Sequence, residues 1–242
     1  MTYLTSGTSA YELLAREYYD SRLHPTCANL REASKVLIRD WFRKFVDNAP
    51  VCEIGAGRSV AAELLLEMQR PLSDLCLTDS VSAMLDYSKK WESAVAKAIV
   101  ADAADLPYAA GSFDLCVASL GDPYNQPGFW SELARVMSAH AHAIFTTPSY
   151  EWASRYRADP SDEASSFSAE FLLADGSTIH APSMVFQREE QVRLIEGAGT
   201  LEVIDFRQFT FSQLSSDSIS PKLLVARDAD LPIATGYLIR KR

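Results

Sequence analysis

The chain has 242 residues, 48% of them hydrophobic, which suits a single large domain with an ample core. Its 23 basic against 32 acidic residues leave a net charge of −9. With no Lys/Arg run beyond the terminal Arg240-Lys241-Arg242, the sequence argues against nucleic acid as a partner, since duplex binding needs a basic face to displace counterions.

The first 48 residues read as helical. Ser9-Ala10-Tyr11-Glu12 has the pattern of a capping box opening one helix, and a break follows at His24-Pro25. Asn29 then caps a second helix in this reading, with Leu30, Ala33, Leu37, Trp41 and Phe45 along one face. Both helices lie outside any sheet and are expected to form a lid. From residue 50 short apolar runs at 51–54, 75–78, 97–101, 113–119 and 142–147 alternate with helical segments at 60–70, 82–91 and 129–137. Such alternation means parallel strands joined by helical crossovers, buried on both faces. Residues 149–186 interrupt it as an insertion over the functional edge, with a hairpin of 171–174 and 178–185 turning at Asp175-Gly176. A helix at 189–196 and strands at 201–209, 223–226 and 234–239 complete the chain. The expected fold is α/β: a Rossmann-like, mostly parallel sheet over residues 49–242, preceded by the lid at 1–48.

The four cysteines, Cys27, Cys52, Cys76 and Cys116, include no C-x-x-C pair, and three fall in apolar strands. Free buried thiols and no metal site are expected. No apolar stretch approaches the ~18 residues of a membrane span, and the N-terminus shows no signal pattern, so a cytoplasmic protein without membrane contact is expected.

The first strand runs into Glu53-Ile54-Gly55-Ala56-Gly57-Arg58-Ser59, where two glycines permit a tight turn and close approach of a ligand. Val60 stands where a dinucleotide fingerprint wants glycine, and Glu53 would repel a pyrophosphate while welcoming an ammonium or sulfonium group. The second strand ends at Asp79, placed to accept both hydroxyls of a ribose, and the third at Asp102. Taken singly, each carboxylate fits a helix cap or solvated turn equally well. All three in register with the glycine turn point to one ligand crevice.

The run Glu53-Ile54-Gly55-Ala56-Gly57, then Asp79, then Ala101-Asp102-Ala103-Ala104-Asp105-Leu106-Pro107-Tyr108 through Gly111-Ser112-Phe113-Asp114-Leu115, resembles class I S-adenosylmethionine-dependent methyltransferases. The likeness is greatest to the ubiquinone/menaquinone-biosynthesis branch and covers roughly residues 50–148. It implies S-adenosyl-L-methionine as cofactor and a seven-stranded sheet with the last strand antiparallel. It implies that Glu53 and Gly55, Ala56 and Gly57 hold the methionine moiety, Asp79 with Ser80 the ribose, and Asp102 with Ala103 the adenine. Ser119, and Tyr19 within the lid element Tyr18-Tyr19-Asp20, complete the cofactor set. Two departures are Ser59, where the family often has glycine, and Ala139-His140-Ala141, where a Gly-Gly turn is common.

The loop Ser119-Leu120-Gly121-Asp122-Pro123-Tyr124-Asn125 leaves the fourth strand and resembles, in part, the D/N-P-P-Y/F motif of amino-methyltransferases; a plain turn built on Pro123 is the alternative. Asp122, Tyr124, Asn125 and His24 are the expected catalytic residues, with His180 a further possible base, and Tyr150 and Trp152 could line an acceptor pocket. The expected function is methyl transfer to an O or N nucleophile of a small molecule. Alternatives are an amino-methyltransferase acting on a nucleobase or protein side chain, or a cofactor-binding protein without catalysis.

Overall fold

The computed structural model describes residues 7–47, 49–156, 167–215 and 218–242, with side chains from Ala10 onward. A seven-stranded sheet has the order β3-β2-β1-β4-β5-β9-β8. Strands β1 (Val51–Ile54), β2 (Leu75–Asp79), β3 (Lys97–Val100), β4 (Phe113–Ala118) and β5 (Met137–Pro148) are mutually parallel. β9 (Pro232–Lys241) lies antiparallel between β5 and β8 (Leu201–Thr210). The expected α/β architecture is what forms. β6 (Ser168–Leu172) and β7 (Thr178–Pro182) make the separate hairpin, turning through Gly176 at φ +85°.

Alternation along each strand divides the core. Val51, Leu75, Leu77, Leu115, Val117, Ile144 and Leu238 face α2 (Pro25–Phe45) and α3 (Val60–Glu67). Cys52, Ile54, Cys116, Ala143, Phe145 and Ile239 face α5 (Pro127–Val136) and α7 (Arg188–Glu196). Every fully buried leucine or phenylalanine in these layers contributes roughly 2–3 kcal/mol of transfer free energy. All four cysteines are buried and free. The ring of Trp41 packs close against Gly236 of β9, and its indole N–H donates to Asp205 at 2.9 Å, so α2 is a structural layer along most of its length. No helix among the described residues is long and apolar enough to cross a membrane.

Several local expectations are corrected. The first helix, α1 (Gly7–Leu14), already includes Ser9, so the capping box does not open it. α2 starts at Pro25 and not after Asn29, because proline at the first helical position needs no amide partner. Asn29 is instead buried inside the helix, bonded to the backbone of Ser218 and Ser220. The 82–91 segment splits into α4 (Ser82–Leu85) and a 3-10 turn. The strand expected at 223–226 is a 3-10 helix, Pro221–Ala226, with Leu223 and Ala226 buried three residues apart while Leu224 and Val225 are exposed. Finally, α6 (Tyr150–Tyr156) opens the insertion. At Ala139-His140-Ala141, where the resembling family commonly has a Gly-Gly turn, His140 takes the left-handed conformation at φ +65°, and β5 already begins at Met137.

Candidate active site

At the carboxyl ends of the parallel strands lies a cavity of about 670 Å³, within the ~300–1,000 Å³ range usual for small-molecule sites. Its floor is the turn from β1 to α3. Gly55 (φ +66°) and Gly57 (φ +41°) occupy the left-handed region, and a Cβ on Gly55 would sit 2.6 Å from the Tyr124 hydroxyl. A Cβ on Gly57 would collide with the Tyr19 hydroxyl. Both aromatic side chains thus close over a turn that only glycine can make. Tyr124 donates to the Ile54 carbonyl at 2.6 Å, and Tyr19 accepts from the Arg58 amide at 2.8 Å.

Asp79 is placed by β2, with one carboxylate oxygen accepting from the Gly57 amide at 2.9 Å and the other from Val81 at 3.0 Å. Burial raises its pKa and these two hydrogen bonds lower it, with a net rise. Each oxygen has a second lone pair, so the group can still accept two hydroxyls. Asp102 sits at the β3 end, accepting from the Ala104 amide at 2.8 Å, and Ala103 behind it is buried. The following Leu106–Tyr108 segment is pinned by Glu132, which accepts from the Leu106 amide at 2.7 Å, and by Arg135, which donates to the Leu106 and Tyr108 carbonyls.

Glu53 departs from expectation. Its side chain is 1% exposed and turns into the N-terminus of α3, accepting from the Ser59 hydroxyl and from the amides of Val60 (2.9 Å) and Ala61 (3.2 Å). It is absent from the cavity wall. Burial pushes its pKa up to about 7 against the hydrogen bonds that favour ionisation. Ser59 acts as the helix cap, accepting from Ala62 at 2.9 Å, which explains why a hydroxyl replaces glycine there.

The loop after β4 begins with Ser119, bonded to Ser34 at 2.7 Å, and Leu120, a non-glycine held at φ +54° beside the cavity. Asp122 faces the cavity, 6% exposed, and accepts from the Ser183 hydroxyl. Asn125 does not reach it: the amide is fully buried between Trp130 (3.0 Å), Gln191 (2.7 Å) and the Met184 carbonyl (3.0 Å), where it fastens the loop to α5 and α7. The expected catalytic place for Asn125 is therefore corrected to a packing one. His180 on β7 is exposed and Tyr150 lies outside the wall, whereas Trp152 lines it.

α1, the start of α2 and the β6–β7 hairpin roof the cavity. His24 lies under this roof with its Nε2 2.9 Å from Glu17, and the same carboxylate accepts from the Ala174 amide at the hairpin tip at 3.1 and 3.2 Å. Tyr19, His24, Gly55, Ala56, Asp79, Ser80, Asp102, Ala103, Ser119, Asp122 and Tyr124 are thus gathered on one wall system; Glu53, Gly57 and Asn125 support it from behind. Sequence reasoning missed Arg31, whose guanidinium donates to the Arg58 carbonyl at 3.0 Å, since pairing with Glu63 makes it read as an ordinary solvated helix face. It also missed Ser183, Phe171, Tyr156 and Lys222, which carry no local signal.

Residues 52–145 match the family model described as a methyltransferase domain. No curated protein gives a significant match. Among solved structures, the PH0226 protein from Pyrococcus horikoshii OT3 superposes with a TM-score of 0.64 at 11% identity, over 96% of this chain and 98% of that one. An S-adenosylmethionine-dependent methyltransferase from Mesorhizobium loti gives 0.60 at 15%, over 88% and 100%. The Burkholderia thailandensis 1,6-didemethyltoxoflavin-N1-methyltransferase, solved with S-adenosylhomocysteine, gives 0.56 at 15%, over 100% and 92%. At these identities the likeness is one of fold. The donor set fits the nucleoside cofactor: an acceptor-only carboxylate at the second strand tip, a side-chain-free turn at the first, and an apolar ledge at Ala103. The methyltransferase-domain match over residues 52–145 and the fold shared with these enzymes support an enzyme that uses S-adenosyl-L-methionine.

Proposed function

We propose that the protein methylates an O or N nucleophile of a small molecule held in the roofed cavity. The observation that supports this reading is the continuity of one cavity from the strand tips at Gly55 and Asp79 to Asp122 and the aromatic wall at Trp152 and Phe171. A macromolecular acceptor would call for an open mouth, and here two helices and a hairpin stand across it.

In this reading Asp79 accepts the ribose hydroxyls, Asp102 and the Ala103 backbone meet the adenine edge, and the Gly55–Gly57 backbone lies along the methionine portion, with Arg31 a counter-charge for its carboxylate. The bound cofactor supplies a methyl group already activated by the sulfonium. The remaining work is positioning and exclusion of water, which can supply much of the barrier reduction in an in-line displacement. Asp122, oriented by Ser183, takes the proton that the nucleophile loses as its bond to the methyl carbon forms. The roof aromatics Tyr11, Tyr18 and Phe171 keep water away. His24, committed to Glu17, serves the roof and not the proton transfer. Tyr124 spends its hydroxyl on Ile54 and packs its ring near Gly55, so the stacking role of the nucleobase amino-methyltransferase motif is not available to it.

Calorimetry with S-adenosylmethionine and S-adenosylhomocysteine tests the first half, and release of the latter with a panel of phenols, carboxylic acids and amines tests the second. Saturable binding of both nucleosides and acceptor-dependent turnover are expected. Absence of nucleoside binding would overturn the reading.

A further inference from the structure

The cavity wall remote from the strand tips carries a cation that the transfer step does not use. Lys222 is the second residue of the Pro221–Ala226 turn, and its backbone is fastened from several directions. Its amide donates to the Ser220 hydroxyl at 3.2 Å, which is itself bonded to Thr26 Oγ1 at 2.6 Å. Asn29 clasps the same segment, accepting from the Ser220 amide at 2.9 Å and donating to the Ser218 carbonyl at 3.0 Å. From the opposite side the Trp152 indole N–H donates to the Lys222 carbonyl at 2.8 Å. A side chain leaving such a base is held ready for a ligand, because little backbone freedom is left to lose on binding.

The Lys222 ammonium lies 5.0 Å from the centre of the Tyr156 ring and donates to the carbonyl oxygen of Glu170 at 3.2 Å. Among the described residues no carboxylate stands within ion-pair distance of it; Glu170 offers its backbone and not its side chain. Lys222 and Asp122 both line the same cavity, which puts ammonium and carboxylate in one chamber. The same wall carries the rings of Trp152 and Tyr156, stacked at 5.6 Å and 5°. An ammonium lining a cavity with no counter-charge among the described residues favours a ligand that brings one.

We propose that Lys222 selects an acceptor bearing a carboxylate on a flat, largely apolar body, with its nucleophile turned toward Asp122. This rests on the methyl-transfer reading and specifies its substrate class. The test uses the full chain saturated with S-adenosylhomocysteine and titrated calorimetrically with phenylacetate and indole-3-carboxylate, each beside its carboxamide. The acids should bind at least about tenfold more tightly than the amides, the effect of one charge-assisted contact. Lys222→Met and Lys222→Gln should abolish that preference, Lys222→Arg should keep most of it, and the nucleoside affinity of all three should match the parent. Acids that fail to bind, acids and amides binding equally, or a preference that survives loss of the lysine would each overturn the proposal. Nucleoside binding without acid preference removes this inference alone, whereas loss of nucleoside binding in the parent removes the methyl-transfer reading as well.

Discussion

The two ends of the cavity are built by opposite strategies. The strand-tip end is assembled from three turns within about fifty residues, each leaving a neighbouring parallel strand, so sequence order and spatial order coincide. The far end brings Cys27, Asp122, Trp152, Phe171, Ser183 and Lys222 together from segments nearly two hundred residues apart. Backbone geometry shapes the first; tertiary packing alone shapes the second. A nucleoside common to many enzymes can be bound by the one while the other changes freely.

Substitutions that separate the two ends test this division. The largest effect belongs to Asp122→Ala, expected to lower kcat by about 10²–10⁴-fold, the usual worth of a general base, while the nucleoside Kd in calorimetry stays within about threefold. A matching loss of affinity would merge the two ends. Next comes Asp79→Ala, which strips two buried amides of their acceptor and removes the ribose contacts. Nucleoside affinity should fall by roughly 10–100-fold, with a further stability loss of about 1–3 kcal/mol read by denaturant titration. Gly57→Ala should destabilise by about 1–3 kcal/mol, and Tyr19→Phe in the same chain should recover part of that, because the two atoms that collide are the new methyl and the tyrosine hydroxyl. Additive losses would mean that Tyr19 does not rest on the turn.

The most specific effect is pH-dependent. Glu53 is raised to about 7 from an ordinary value of 4.5, so between these values the folded protein holds a proton that the unfolded chain has released. Its contribution is therefore full below pH 4.5 and is lost as pH rises through about 7, on the order of 3 kcal/mol at most. Glu53→Gln, which cannot ionise, should flatten this part of the stability profile measured from pH 5 to 8. An unchanged slope would show that another group carries it.

The sheet was legible because parallel strands buried on both faces read as unbroken apolar runs, as at 51–54, 75–79 and 113–118. The glycine turn and the two strand-end aspartates were legible because a left-handed backbone and a strand-end carboxylate leave marks one residue wide. Glu53 was located correctly in its strand but assigned the wrong side, since spacing does not tell whether a side chain turns to the ligand or to the next helix. Leu223–Ala226 misled because an apolar run of that length fits a strand as well as a 3-10 turn, and Pro221 decides it. Lys222 and Ser183 have no pattern at all; only the folded chain makes them neighbours.

Glu17 holds His24 of the helical roof with one oxygen and reaches the hairpin tip at Ala174 with both. Two leaves that are distant in the chain thus share a single latch. Were the hairpin contact broken, the histidine side would still hold the carboxylate in place to receive the Ala174 amide again.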